Sequence, residues 1–235
     1  MTYLFHTIIT TPFYNGFIFL ISLLPFFDTG VIVIIFTIII KIILLPLSIK
    51  ASRAQIEMKS TEKDLQLLRE KHKDNKEELG KKQMEYYKER GINPFSGIFI
   101  LLIQLPILIG LYSIFIKSGL PNINTSILYG FVTAPTLVNM IFLGLIDISQ
   151  KSIILAIIAG VSTYFQISLA SKSASTDGSK QGDMAKAMAL QMKYFFPILM
   201  AFIAYTISSA VALYLITSNI FTIFQEMYTR KQLLR

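Results

Sequence analysis

"VIVIIFTIIIKIILLPLSIK", residues 31–50, decides how the chain is read. About 20 apolar residues at 1.5 Å each match a bilayer core of about 30 Å, so the run is long and oily enough to cross one. Yet it carries an ammonium group at Lys41 and a proline at position 46. An acidic partner elsewhere in the membrane would suit a pump or transporter. Without one, the charge serves water or something that arrives later.

Similar runs follow outward from this stretch, in a chain of 235 residues that is 53% hydrophobic and 15% charged. The runs are continuous, which excludes an outer-membrane barrel built from alternating segments of roughly ten residues. The net charge of +8 reads first as basic residues collecting in cytoplasmic loops, not as nucleic-acid affinity. There is no cysteine, hence no disulfide and no thiolate metal site. The N-terminus is apolar but lacks a basic leader and a small-residue cleavage site, so it is expected to be retained.

Charge sets the topology. Residues 50–94 hold 12 Lys/Arg against 9 Asp/Glu, which places them in the cytoplasm and the N-terminus outside. A crossing over 127–146 would then put the four lysines of "SKSASTDGSKQGDMAKAMALQMK" outside. Residues 117–151 are therefore expected to form an outer loop with an interfacial helix, and 1–28 an outer interfacial amphipathic segment. The apolar stretch 192–227 would be about 54 Å long as one helix, too long for one crossing. It is expected to turn at Ser208-Ser209.

The expected fold is all-α: a polytopic membrane protein with five transmembrane helices at 29–49, 95–116, 152–170, 192–208 and 209–227. Residues 50–94 form a cytoplasmic helical hairpin, 171–191 a cytoplasmic loop and 228–235 a short cytoplasmic tail. An N-terminal interfacial helix precedes the first span. This arrangement puts 19 of 22 basic residues inside. The hairpin reads equally as a solvated linker or as a docking surface; its mixed charge argues against an RNA-binding stripe.

Few polar groups lie inside the spans: Lys41, Ser48, Gln104, Gln166, Thr217, Ser218 and Asn219. No Asp or Glu lies deep in any of them. Burying an ammonium there costs about 2.5–3.5 kcal/mol on insertion scales, which snorkelling toward the cytoplasm relieves in part. Interhelical glue explains each amide taken alone. Together with an unpaired cation, a wet groove open to the cytoplasm and lined by Lys41, Ser48, Gln104, Gln166, Ser218 and Asn219 is the better account. Pro46, Pro106 and Pro197 are expected to kink their spans, and Pro46 to open the groove; prolines are also ordinary in such helices. Proton- or cation-driven pumps need intramembrane carboxylates or histidines, and none lies deep in the expected spans, Glu226 falling at the final cytoplasmic boundary. No phosphate-cradling loop, metal-ligand cluster or nucleophile–base pair occurs either, so neither enzyme activity, nor cofactor, nor metal is expected.

Three stretches, "KIILLPLSIKASRAQ", "INPFSGIFILLIQLPILIGLYSIF" and "FFPILMAFIAYTISSAVALYLITSNIFTIFQE", with the charged hairpin between the first two, resemble the YidC-type membrane protein insertases. Order and spacing agree over nearly the whole chain. The resemblance implies a five-helix core in the bacterial cytoplasmic (inner) membrane, N-terminus outside and C-terminus inside. It implies that the protein inserts and chaperones nascent membrane proteins, alone or beside the Sec translocon, with the ribosome as a further candidate partner. The groove cation of that family is usually arginine. Lysine at position 41 keeps the charge and loses the planar fork. The rival expectation is a small-solute or ion channel or transporter, which would usually show repeated halves; none is found. A structural membrane scaffold is a third.

Overall fold

A computed structural model describes residues 6–72, 75–91, 96–117, 119–171 and 180–233. Residues 1–5 of the N-terminal segment and 172–179 of the 171–191 loop lie outside the described residues. Nine α-helices account for most of what is described: α1 (Thr11–Leu23), α2 (Thr29–Ile43), α3 (Leu45–Ser60), α4 (Glu62–Lys71), α5 (Lys76–Glu89), α6 (Ser96–Tyr112), α7 (Ile153–Ser171), α8 (Lys180–Ile207) and α9 (Ser209–Leu233). The C-terminal helix α9 is the hub and touches α2, α3, α6, α7 and α8. Its first turns, Ala210 to Leu215, are buried on every side, as a helix at the centre of a bundle must be.

The stretch 29–49 is not one helix. Asp28 caps α2, its Oδ1 accepting from the Val31 amide at 3.0 Å, and α2 stops at Ile43. The chain then bends by 64° into α3. Proline has no N–H to donate to the Ile42 carbonyl, and its ring crowds that turn. The ladder resumes when the Ser48 amide reaches the Leu44 carbonyl at 2.9 Å. Lys41 therefore sits in the last turn of α2, where the helix dipole favours a cation.

Among the described residues, one helix segment, Ser209–Gln232, is long and apolar enough to cross a bilayer alone. The bent pair Thr29–Ile43 and Leu45–Ala54 passes the same test together. Thr7–Leu23, Gln104–Ile116, Ile153–Leu169 and Lys193–Ile207 are shorter apolar helices.

Other expected boundaries also shift. Helix α8 begins at Lys180, so the second half of the expected 171–191 loop is helical, and α9 runs to Leu233, so residues 228–233 continue the helix and are not a separate tail. The chain breaks at Ser208, where the sequence expected a turn. There the Ser209 amide and hydroxyl both reach the Gln150 carbonyl, at 2.9 and 2.6 Å, fixing the start of α9 against the outer-loop segment.

The interfacial helix expected within 117–151 is absent from residues 119–151. These hold one 3₁₀ turn (Thr125–Ile127) and a small hairpin of β1 (Ile141–Phe142) with β2 (Ile146–Asp147). Pro121, Pro135, Gly130 and Gly144 interrupt any helical run, and Val and Thr between them favour extended backbone. The hairpin tip places Leu143 at φ 51°, a costly left-handed position for a side-chain-bearing residue. Asp28 Oδ2 accepts from the Leu143 amide at 3.1 Å and holds it there. Thus one carboxylate caps α2 and ties the hairpin over it, with Phe142 packed on Gly30.

Helices α7 and α8 approach closely at Gly160. A β-carbon on Gly160 would lie 2.9 Å from the Ala201 β-carbon and 3.1 Å from the Pro197 carbonyl oxygen. Small residues at such crossings let backbones meet. Gly160→Leu is expected to cost about 1–3 kcal/mol by overpacking, measured as a lower Tm of the detergent-solubilised protein. Combining Gly160→Ala with Ala201→Gly should cost less than Gly160→Ala alone; an equal loss would mean that the two carbons do not compete.

Helices α4 and α5 lie side by side. Tyr86 donates to Asp64 Oδ2 at 2.5 Å, and Arg90 pairs with the same carboxylate at 3.1 Å while its guanidinium lies over the Tyr86 ring.

Candidate functional site

Helix α9 carries its polar residues in two stripes. Ser218, Thr222, Gln225, Thr229 and Gln232 recur at steps of four and three, which at 100° per residue keeps them on one face. Asn219, Glu226 and Arg230 form the second stripe, about 100° round the helix.

The first stripe meets α2 and α3. Lys41 Nζ donates to Thr222 Oγ1 at 3.1 Å, and Thr222 passes its own proton to the Ser218 carbonyl at 2.8 Å. One turn on, Ser48 Oγ lies 3.0 Å from Gln225 Oε1 and 2.8 Å from its Nε2. Gln225 also reaches Ser52 at 3.4 Å, and at the end of α9 Arg53 donates to Gln232 Oε1 at 2.9 Å. The result is a polar seam along the α3–α9 contact with Lys41 at its inner end. Lys41 is half-buried, and among the described residues no carboxylate lies within ion-pair distance of it. Its one partner is a neutral hydroxyl.

The second stripe faces α7. Asn219 Nδ2 donates to Ser162 Oγ at 2.9 Å and to Thr163 Oγ1 at 2.8 Å. Glu226 accepts from Arg230 Nη2 at 2.7 Å, and the same nitrogen donates to the Leu169 carbonyl near the end of α7, also at 2.7 Å. These contacts bind helix to helix.

The six residues expected to line one groove are therefore divided. Lys41 and Ser48 stand on the seam. Ser218 is buried beside the Tyr214 hydroxyl, with Gln104 of α6 on its other flank. Asn219 belongs to the α7 contact and not to the Lys41 side. Gln166, half-buried on α7, makes no hydrogen bond to the Lys41 chain among the described residues. Pro46 marks the α2–α3 break, while Pro106 and Pro197 lie within continuous helices. Thr222, Gln225 and Ser52 were not foreseen. The four-three spacing of Ser218, Thr222 and Gln225 was the signal that could have found them.

A model of the 60Kd inner membrane protein family matches residues 21–235. A protein of Clostridium tetani named membrane protein insertase YidC is 32% identical over 209 residues, covering 88% of this chain and 84% of that one. One of the same name from Fusobacterium nucleatum is 30% identical over 203 residues, 86% of each. A third, from Francisella philomiragia, is 32% identical over 199 residues, but this chain covers only 31% of its length.

Proposed function

Since the chain belongs to the 60Kd inner membrane protein family, we propose that it is a membrane protein insertase whose seam between α2–α3 and α9 receives the hydrophilic part of a nascent membrane protein. The observation that carries this is Lys41, a half-buried cation whose one partner is the neutral Thr222 hydroxyl. A half-buried charge with no counter-ion among the described residues is costly unless an anion visits it. Lys41 lies twelve residues into α2, about 18 Å from its outer end, which puts it on the cytoplasmic side of a 30 Å core. A segment entering from the cytoplasm thus meets it after about two fifths of the crossing.

On this reading the bent pair α2–α3 and the apolar parts of α6, α7, α8 and α9 make five crossings, N-terminus outside and C-terminus inside, with α1 and the β hairpin at the outer surface. Charge distribution supports that orientation. The α4–α5 pair projects into the cytoplasm and is the assigned surface for ribosome or Sec translocon. The work is non-covalent. Burial of the substrate's apolar helix drives insertion, and the membrane potential adds about 2.3 kcal/mol per acidic charge per 100 mV. No observation favours a channel or solute transporter.

The test is photo-crosslinking to ribosome-bound nascent chains from two positions on opposite sides of the seam. A crosslinker at Ser48 should capture the chain, and one at Asn219, turned into α7, should not. Equal yields from both would remove the seam as the path.

A further inference from the structure

A second unpaired cation stands away from the seam, where α7 and α8 converge. Lys193 Nζ lies 5.5 Å from the Tyr164 ring centroid and 5.6 Å from that of Tyr194, and the two rings are 5.9 Å apart with 35° between their planes. The groups around the Tyr164 hydroxyl are Ser168, Lys193 and Tyr194. Ser168 Oγ is buried beside the Tyr164 hydroxyl, screened from bulk water. Among the described residues no carboxylate lies within ion-pair distance of Lys193. One ammonium and three hydroxyls therefore gather at one place.

The position along the helix selects the anion. Lys193 is the last charged residue before the uncharged run 194–207 of α8, the place where a headgroup boundary falls on a spanning helix. Directly beyond it the surface is oily and open: Phe165 and Tyr194 are exposed beside the cluster, and Ile198 and Phe202 continue the same side of α8. A free phosphate ion would use the donors and ignore this surface. An anionic phospholipid uses both, its phosphate on the cluster and its acyl chains along Ile198 and Phe202. We propose that Lys193, Tyr164, Tyr194 and Ser168 form a site for the phosphate of an anionic phospholipid, on the α7–α8 side of the protein and apart from Lys41. Phosphate accepts from several donors at once, which an ammonium framed by hydroxyls supplies. The lipid would hold these ends of α7 and α8 together.

The full chain purified in mild detergent tests this by native mass spectrometry with added phosphatidylglycerol, phosphatidylcholine or oleate. No substrate is present, so the outcome does not depend on the insertase reading. The wild type should retain one tightly held phosphatidylglycerol, and K193Q should bind it about tenfold more weakly, the loss expected for one charge-assisted hydrogen bond. K193R should stay within about threefold of wild type. Phosphatidylcholine retention should be the same in wild type and K193Q. Undiminished phosphatidylglycerol retention by K193Q overturns the proposal. So does oleate that competes one for one and depends equally on Lys193, because that marks a carboxylate site suited to a peptide. If K193Q does not fold, S168A and Y164F decide: each should lower retention about threefold, and no loss in either overturns the site.

Discussion

Lys41→Glu is expected to abolish insertion of a substrate whose translocated segment is acidic, while Lys41→Arg retains it. At an effective dielectric of about 20, two unit charges 8 Å apart interact by about 2 kcal/mol. Reversing the sign at position 41 turns attraction into repulsion of the same size, a swing of about 4 kcal/mol, or several hundredfold in occupancy of the seam. Lys41→Met removes the attraction without adding repulsion and should fall between. The local fold tolerates all three. Among the described residues Lys41 makes one side-chain hydrogen bond, to Thr222, whose own proton goes to the Ser218 carbonyl, so each substitution gives up that single contact and leaves the Thr222–Ser218 bond in place. The measurement is protease protection of the translocated tail in cells depleted of their own insertase. A second substrate with a neutral tail serves as control and should lose far less in Lys41→Glu. Full activity of Lys41→Glu on the acidic substrate sinks the electrostatic mechanism, and equal loss on both substrates points to damage of the fold instead.

What the sequence disclosed and what it hid divide along a physical line. Apolar runs, the Ser208 break and the two-helix character of residues 62–89 follow from hydrophobic periodicity and helix propensity, which are local. The family followed from strings such as "LYLITSNIFTIFQE", which already contain Thr222 and Gln225. The site residues were harder because a list of polar groups in a span ignores direction. Ser218 and Asn219 are neighbours in sequence but point about 100° apart. One lies on the Lys41 side and the other in the α7 contact, so treating them as one lining was an error of phase. The outer loop shows a different limit. Residues 127–146 are apolar enough for an interfacial helix, but the hairpin depends on Asp28, more than a hundred residues earlier, holding Leu143 in a left-handed turn. No local pattern carries that pairing. The break at Pro46 was foreseen as a kink; its 64° bend ends α2 just after Lys41 and so puts the cation in a last helical turn, where the dipole favours it.

The second large effect is expected at Arg230, on the face of α9 turned from the seam. Its guanidinium satisfies two acceptors that water does not easily reach: the Glu226 carboxylate, 2.7 Å away on a residue 8% exposed, and the Leu169 carbonyl near the C-terminal end of α7. The last carbonyls of a helix have no partner within it, so this contact closes the end of α7 as well as neutralising Glu226. Arg230→Ala leaves a poorly solvated carboxylate and an orphan carbonyl together. Breaking such a pair from one side costs about 3–5 kcal/mol. At about 2–4 °C per kcal/mol for a chain of this size, the Tm should fall by roughly 6–20 °C. Glu226→Gln keeps an acceptor for Arg230 and should cost far less. The double substitution Glu226→Leu with Arg230→Met removes both charges and should recover most of the loss, because two apolar side chains need no partner there. A double substitution as damaging as Arg230→Ala would show that the Leu169 carbonyl, and not the buried carboxylate, is what Arg230 serves. In that case α7 should detach at its C-terminal end in either variant, with faster amide exchange at 169–171, while the Lys41–Thr222 contact on the other stripe stays intact.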